Sequence, residues 1–119
     1  MLFRSNHRWA AEQARRFPPP WTTCEAVLSE TTHLLGSRGT GSLAELLRRR
    51  ALVCRYGFAD DMDAALKLLL KYADVPMGFA EACLVRMTET LPDPVIVTTD
   101  SDFKIYRRHS RQVVPCLMP

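Results

Sequence analysis

The chain has no long hydrophobic run. Its apolar stretches are far shorter than the ~20 residues that a helix needs to cross a bilayer, so the sequence indicates no membrane partner. Residues 1–8 turn polar at once and do not form the apolar core of a signal peptide. We therefore expect a soluble, cytoplasmic protein.

Closely spaced cysteines are also lacking. The four cysteines are spread along the chain, at Cys24, Cys54, Cys83 and Cys116. No two of them have the spacing of a zinc knuckle or of a redox motif. We expect reduced and mostly buried thiols. A zinc site assembled in space from cysteines and histidines is a weaker alternative.

A strong charge of either sign is absent as well. The 16 basic and 13 acidic residues give a net charge of +3, which does not by itself indicate a polyanionic partner. The basic residues are clustered, however, at Arg48–Arg50 and again within residues 104–111. Clustered basic side chains can neutralise the phosphates of nucleic acids. A solvated helix face explains the first cluster at least as well.

What the chain does have is enough apolar residues, 47% of 119, for one globular domain over residues 1–119. Helical patterns predict helices over residues 6–16, 22–35, 42–50, 62–72 and 79–91. Pro18–Pro20 ends the first helix, Gly36 ends the second, and residues 37–42 form a glycine-rich turn. Two predicted capping boxes join Thr22 to Glu25 and Ser42 to Glu45, and Asp60 or Asp61 caps the fourth helix.

The clearest strand is Val95–Thr98, which is rich in β-branched residues, as a buried parallel strand should be. Residues 51–58 and Val113–Val114 are candidates for further short strands, and residues 75–78 for a linker. Helices outnumber strands, and the clearest strand lies between helices. The sequence therefore predicts an α/β domain with a small parallel sheet.

Two carboxylates follow this strand directly, in the segment Thr99-Asp100-Ser101-Asp102. Ligands gather beyond the carboxyl ends of parallel strands, and Mg²⁺ prefers hard oxygen ligands of this kind. A structural interpretation is equally open. In that case Asp100 forms an Asx turn and Asp102 caps a short helix.

Two further acids are candidates for the same site. Glu30 falls at the edge of the apolar stripe of Val27 and Leu34, where a carboxylate is costly unless it is paired or binds a cation. Alternatively, it reaches solvent from the border of that stripe. Glu81 lies near the start of its helix, where the helix dipole alone favours an acid.

Three segments together resemble the PIN domain family, which includes the VapC-type toxins of bacterial toxin–antitoxin pairs. These are residues 27–30 (VLSE), 79–85 (FAEACLV) and 98–103 (TTDSDF). The last, a strand followed by Thr-x-Asp-x-Asp-Phe, is the most specific. The resemblance covers about residues 6–114 and implies a three-layer α/β/α fold with a small parallel sheet.

The resemblance also implies a metal-dependent endoribonuclease that uses Mg²⁺ or Mn²⁺ to activate a water and stabilise the leaving oxygen. The catalytic and metal-binding residues that it implies are Glu30, Glu81, Asp100 and Asp102. Lys104, Arg107 and Arg108 would position the RNA backbone. The partners implied are RNA, a small antitoxin protein and a second copy in a homodimer.

Two features depart from the family. Glu81 stands where PIN domains usually have the shorter aspartate. PIN domains also begin with a strand that ends in an aspartate, but no aspartate precedes Asp60 here. The resemblance therefore implies that the N-terminal strand is missing or truncated and that activity is low. The explanations left open are a start upstream of Met1, a partial strand at residues 1–3, and an inactive RNA- or protein-binding module.

Overall fold

A computed structural model of the chain describes residues 2–75 and 77–119. Within these residues lie four α-helices, six short β-strands and two 3-10 turns. The elements in chain order are α1 (Leu2–Arg16), β1 (Trp21–Thr23), α2 (Glu25–Arg48), β2 (Leu52–Cys54), the 3-10 turn Phe58–Asp60, α3 (Met62–Lys71), α4 (Phe79–Thr90), β3 (Ile96–Val97), the 3-10 turn Ser101–Lys104, β4 (Arg107–Arg108), β5 (Gln112–Val113) and β6 (Cys116–Leu117). None of the helices in this part of the chain is long and apolar enough to span a bilayer.

The described strands pair two by two. β1 and β2 run parallel, with Trp21 opposite Leu52 and Thr23 opposite Cys54. β3 and β6 are also parallel, whereas β4 and β5 are antiparallel. The two parallel pairs and the helices make this a mixed helix and strand protein, in agreement with the predicted α/β class.

The chain divides into two compact units. The central unit comprises residues 19–84, and the terminal unit comprises the residues up to Pro18 together with residues 85–119. The central unit holds β1, α2, β2 and α3, and the terminal unit holds α1 and the four remaining strands. The single domain over residues 1–119 stays a prediction.

The core of the central unit is built largely from small side chains. Ala65 and Ala82 are fully buried, and the thiols of Cys24 and Cys83 are almost completely so. The rings of Phe58 and Phe79 meet edge to face, with 4.8 Å between their centroids.

The core of the terminal unit is aromatic and aliphatic. Tyr106, Val114 and Val85 are fully buried, and Phe103 is only 2% exposed. The rings of Phe103 and Tyr106 lie nearly perpendicular, with 5.5 Å between their centroids. Because Phe103 directly follows Asp102, its burial anchors the acidic segment to this core.

Three predicted helices are confirmed as α1, α3 and α4. The prediction of a glycine-rich turn over residues 37–42 is wrong. α2 runs through this segment and departs from helical geometry at Gly36, which has φ 65° and ψ −165°. The hydroxyl of Thr40 donates a hydrogen bond of 2.7 Å to the carbonyl of Gly36. Gly36 therefore interrupts the helix as expected, but hydrogen bonding resumes at once on its other side.

The prediction of two capping boxes is wrong, because neither the threonine nor the serine of these pairs stands at a helix N-cap. Thr22 lies in β1, where it pairs with Val53, and Cys24 precedes α2 without a side-chain cap. Ser42 and Glu45 both lie inside α2. Asp61 precedes α3 as expected, but its carboxylate accepts a 2.8 Å hydrogen bond from the hydroxyl of Tyr56 instead of capping the helix.

The strand predictions are confirmed in part. β3 covers only Ile96–Val97, and Val97 is 43% exposed, so the predicted burial of this strand is wrong. β2 lies within residues 51–58, and β5 overlaps the predicted strand at Val113. The prediction of a partial strand at residues 1–3 is wrong, because α1 begins at Leu2. Met1 lies outside the described residues, and so does Pro76, which belongs to the predicted linker.

Candidate functional site

The acidic segment after β3 is held by a chain of local hydrogen bonds. The Oγ1 atom of Thr98 accepts one of 3.0 Å from the backbone N–H of Asp100. Oδ1 of Asp100 in turn accepts one of 2.9 Å from the backbone N–H of Asp102. Asp100 thus caps the 3-10 turn Ser101–Lys104, which confirms its Asx-turn interpretation. The expectation that Asp102 caps a helix is wrong, since it lies inside this turn.

Asp102 is half-buried. No hydrogen bond or ion pair of its carboxylate is found with the side chains that the structure describes, those of residues 8–75 and 77–119. Its backbone carbonyl accepts a 2.9 Å hydrogen bond from the N–H of Ile105, which closes the turn. The loop geometry is therefore fixed by the side chains of Thr98 and Asp100 and by backbone groups, and the carboxylate of Asp102 has no part in it.

Glu30 and Glu81 both belong to the central unit. Glu30 is exposed on α2, and Leu34 on the predicted stripe is 84% exposed. The exposure of Glu30 therefore agrees with its interpretation as a border residue that reaches solvent, and its position needs no bound cation to explain it. Glu81 lies in the first turn of α4, and its side chain bends back over Gly78, so that a Cβ at position 78 would collide with its carboxylate.

Glu81 carries one unsatisfied oxygen. Its Oε2 is inaccessible to solvent and has no hydrogen-bond partner in the part of the chain that the structure describes. Buried carboxylate oxygens are normally paired, so such an atom needs an explanation: a proton, a water or a cation. This is a structural signal that the sequence does not contain.

The four predicted metal ligands belong to two units: Glu30 and Glu81 to the central unit, and Asp100 and Asp102 to the terminal unit. The described residues contain no group of three or more His, Cys, Asp or Glu side chains that could hold a metal ion. The same finding applies to the zinc site of cysteines and histidines. The pair Asp100 and Asp102 does suit Mg²⁺ chemically, because this ion binds through one or two carboxylates and completes its shell with waters and substrate phosphates.

Two of the three predicted RNA-binding residues have structural contacts. The Nη1 atom of Arg107 donates to the carbonyls of Lys104, Ile105 and Tyr106, at 2.8, 3.2 and 3.0 Å. The Nη2 atom of Arg108 donates to the carbonyl of Thr88, and its Nε is buried without a partner within the described ranges. Lys104 is exposed.

The turn between β4 and β5 is also attached to α4. Glu89 forms an ion pair with Arg86, and its Oε1 accepts a 3.2 Å hydrogen bond from the backbone N–H of His109. The pair Arg86 and Glu89 has helical i, i+3 spacing and was open to sequence reasoning. The contact to His109 joins distant parts of the chain and has no local sequence signal.

The thiols of Cys83 and Cys54 are stabilised in their neutral form. Burial, followed by the charge of Cys24 and a hydrogen bond with it, raises the pKa of Cys83 to about 11. Partial desolvation raises the pKa of Cys54, which is an exposed residue, and the charges of Glu25 and Cys24 raise it further. All four cysteines are free. Thiols with raised pKa values are poor nucleophiles at neutral pH.

Comparison with known protein families, with curated proteins and with solved structures finds no match to this chain. The acidic segment offers two half-buried aspartates at the end of a parallel strand, and the carboxylate of Asp102 has no hydrogen bond or ion pair among the described side chains.

Proposed function

We propose that this chain is a metal-dependent endoribonuclease with a PIN-like three-layer α/β/α fold. One observation carries the proposal: Asp100 and Asp102 directly follow the parallel strand β3, half-buried and fixed by the hydrogen bonds of Thr98 and Asp100. This is the place where open α/β sheets bind their ligands. Oxygen ligands in this position favour Mg²⁺ or Mn²⁺.

Asp100 and Asp102 would hold the metal, which when bound would activate a water and neutralise charge on the phosphodiester. Oδ1 of Asp100 keeps the turn in place, so that the Asp102 carboxylate needs little reorganisation to bind a cation. Lys104, exposed at the end of the same turn, would attract the RNA backbone.

The other two acids enter the proposal with different support. Glu81 is supported by its buried oxygen, which lacks a partner among the described residues and which a cation or a proton would satisfy. Glu30 enters through the PIN resemblance alone, and so do three further features. These are the role of a toxin in a type II toxin–antitoxin pair that acts in the cytoplasm, neutralisation by a small antitoxin protein, and a homodimer.

A second candidate function is RNA or protein binding by a PIN-like module without catalysis. The observation that favours it is the structural use of Asp100, whose Oδ1 already caps a turn. A carboxylate that is retained for capping gives the same geometry whether or not the chain cuts RNA. The two functions differ in metal dependence, which decides between them.

The test uses the purified chain with a labelled single-stranded RNA. We expect cleavage in Mg²⁺ that EDTA stops and fresh Mg²⁺ restores. Asp102→Asn should reduce the rate by more than the roughly 10–100-fold that loss of an outer-shell partner costs, while Ser101→Ala in the same turn should leave it unchanged. RNA binding without Mg²⁺-dependent cleavage would support the second candidate, and cleavage at full rate by Asp102→Asn would overturn the first.

A further inference from the structure

The central unit contains an open cavity of about 450 Å³ between the end of α2 and β2. This volume lies within the range of small-molecule sites, roughly 300–1,000 Å³. Its lining residues include the apolar Leu47, Leu52 and Val53. Arg50, Cys54 and Arg55 also line it. The lining therefore combines apolar residues with two positively charged ones.

The arginines here have no acidic partners in the described residues. Arg48, Arg49, Arg50 and Arg55 are all exposed, and none forms an ion pair within residues 2–75 and 77–119. Arg48 lies in the last turn of α2, where a positive charge stabilises the helix dipole. Arg50 and Arg55 lie beyond the helix and line the cavity, so the dipole does not account for them.

Arg50 occupies a position that favours glycine. The N–H of Arg50 donates to the carbonyl of Leu47 at 3.2 Å, and the N–H of Ala51 donates to that of Leu46 at 3.0 Å. These two bonds form a Schellman motif, whose left-handed residue is usually glycine. Arg50 adopts φ 62° there. The chain thus tolerates backbone strain at a residue that lines the cavity.

We propose that this cavity binds a nucleotide through its phosphate. Guanidinium groups bind phosphate oxygens through paired hydrogen bonds, which Arg50 and Arg55 can supply. The apolar lining residues Leu47, Leu52 and Val53 can contact the sugar and base, whereas an inorganic anion would leave them in contact with water. The nucleotide is either a free mononucleotide or part of an RNA strand. The site requires neither the acidic segment nor a metal, so it does not rest on the nuclease proposal.

Cys54 offers a way to locate the ligand. It is exposed in the cavity, whereas Cys24 and Cys83 are buried and Cys116 is half-buried. Because partial desolvation raises its pKa, alkylation of Cys54 should be slow at neutral pH and faster as the pH rises toward its pKa. A nucleotide in the cavity should slow that reaction at Cys54 selectively.

The binding experiment uses fluorescent AMP and a fluorescent single-stranded oligoribonucleotide, both in EDTA, with unlabelled AMP and inorganic phosphate as competitors. We expect Arg50→Gly and Arg55→Ala to weaken binding at least tenfold. Arg50→Gly should retain or raise the melting temperature, because glycine adopts the left-handed conformation without strain. The matched control is Arg38→Ala, an exposed arginine of α2 outside the cavity, which should change neither quantity.

The outcomes are distinct. Binding of AMP assigns a free nucleotide to the cavity, and binding of the oligonucleotide alone assigns an RNA strand; both support the proposal if Cys54 is protected in wild type and not in Arg50→Gly. Unchanged affinity in Arg50→Gly and Arg55→Ala, or competition by inorganic phosphate as strong as by AMP, would overturn it. A chain that fails to cut RNA but still binds in EDTA refutes the nuclease proposal and leaves this one intact.

Discussion

Oδ1 of Asp100 accepts a hydrogen bond of 2.9 Å from the backbone N–H of Asp102. One acid of the candidate site thereby fixes the backbone of the other. Asp100 has two separable properties, its capacity to accept this hydrogen bond and its negative charge. Asparagine keeps the first and removes the second, and alanine removes both. Variants at this position can therefore separate folding from metal chemistry.

The hydrogen bond predicts a clear stability difference. Asp100→Ala should lower the free energy of unfolding by about 1 kcal/mol, the usual cost of losing a side-chain cap, and Asp100→Asn should change it little. Urea unfolding followed by circular dichroism measures both. Ser101→Ala, in the same turn and exposed, is the matched control. Equal stability of the alanine and asparagine variants would contradict the capping role.

Arg108 should behave as a structural residue. Its Nη2 donates to the carbonyl of Thr88, a buried residue of α4, so Arg108→Ala leaves this acceptor unsatisfied and should cost about 1–3 kcal/mol. Chemical denaturation measures the loss. If Arg108→Ala unfolds at the same urea concentration as wild type, the contact to Thr88 contributes nothing.

Lys104 should behave in the opposite way. It is exposed, so Lys104→Ala should leave stability unchanged. If its charge contacts an RNA phosphate, the variant should bind RNA more weakly, and the slope of log affinity against log salt should fall by about one. Fluorescence anisotropy at several salt concentrations gives the slope. An unchanged slope would remove Lys104 from the RNA contact.

The cysteines predict a loss of stability at high pH. The pKa of Cys83 is raised to about 11 in the folded chain from an ordinary value of 9.0, mainly by burial. The folded state therefore holds its proton more tightly than the unfolded state. Stability is fully present below pH 9 and falls as the pH rises from 9 to 11. Other groups titrate in the same window, so the informative quantity is the difference between wild type and Cys83→Ala, which should show a smaller loss. Identical profiles would refute the assignment.

The sequence predicts the helices of this chain better than its strands. The periodic segments that became α1, α3 and α4 carry enough residues to show a clear pattern. β1 and β6 have three and two residues, too few for any alternation to be visible, and their positions are set by pairing with β2 and β3. Gly36 does leave helical geometry, as its low helix propensity leads one to expect, and the chain returns to a helix directly after it, which the glycine-rich composition of residues 37–42 does not predict.

The candidate site is predictable only where its determinants are local. The turn role of Asp100 follows from its neighbours in sequence, and the structure confirms it. The attachment of Arg108 to Thr88 joins residues twenty positions apart, and no sequence spacing reveals it. The cavity at Arg50 is of the same kind, since the basic cluster is visible in the sequence and the grouping of its lining residues is not.

The proposed RNA cleavage depends on a divalent metal held by the negative charge of the acidic segment. A comparison of single-turnover RNA cleavage by wild type and Asp100→Asn in Mg²⁺ tests this dependence, after both are shown to unfold at the same urea concentration. We expect cleavage by wild type and none detectable by Asp100→Asn. Equal cleavage rates for the two proteins would contradict it.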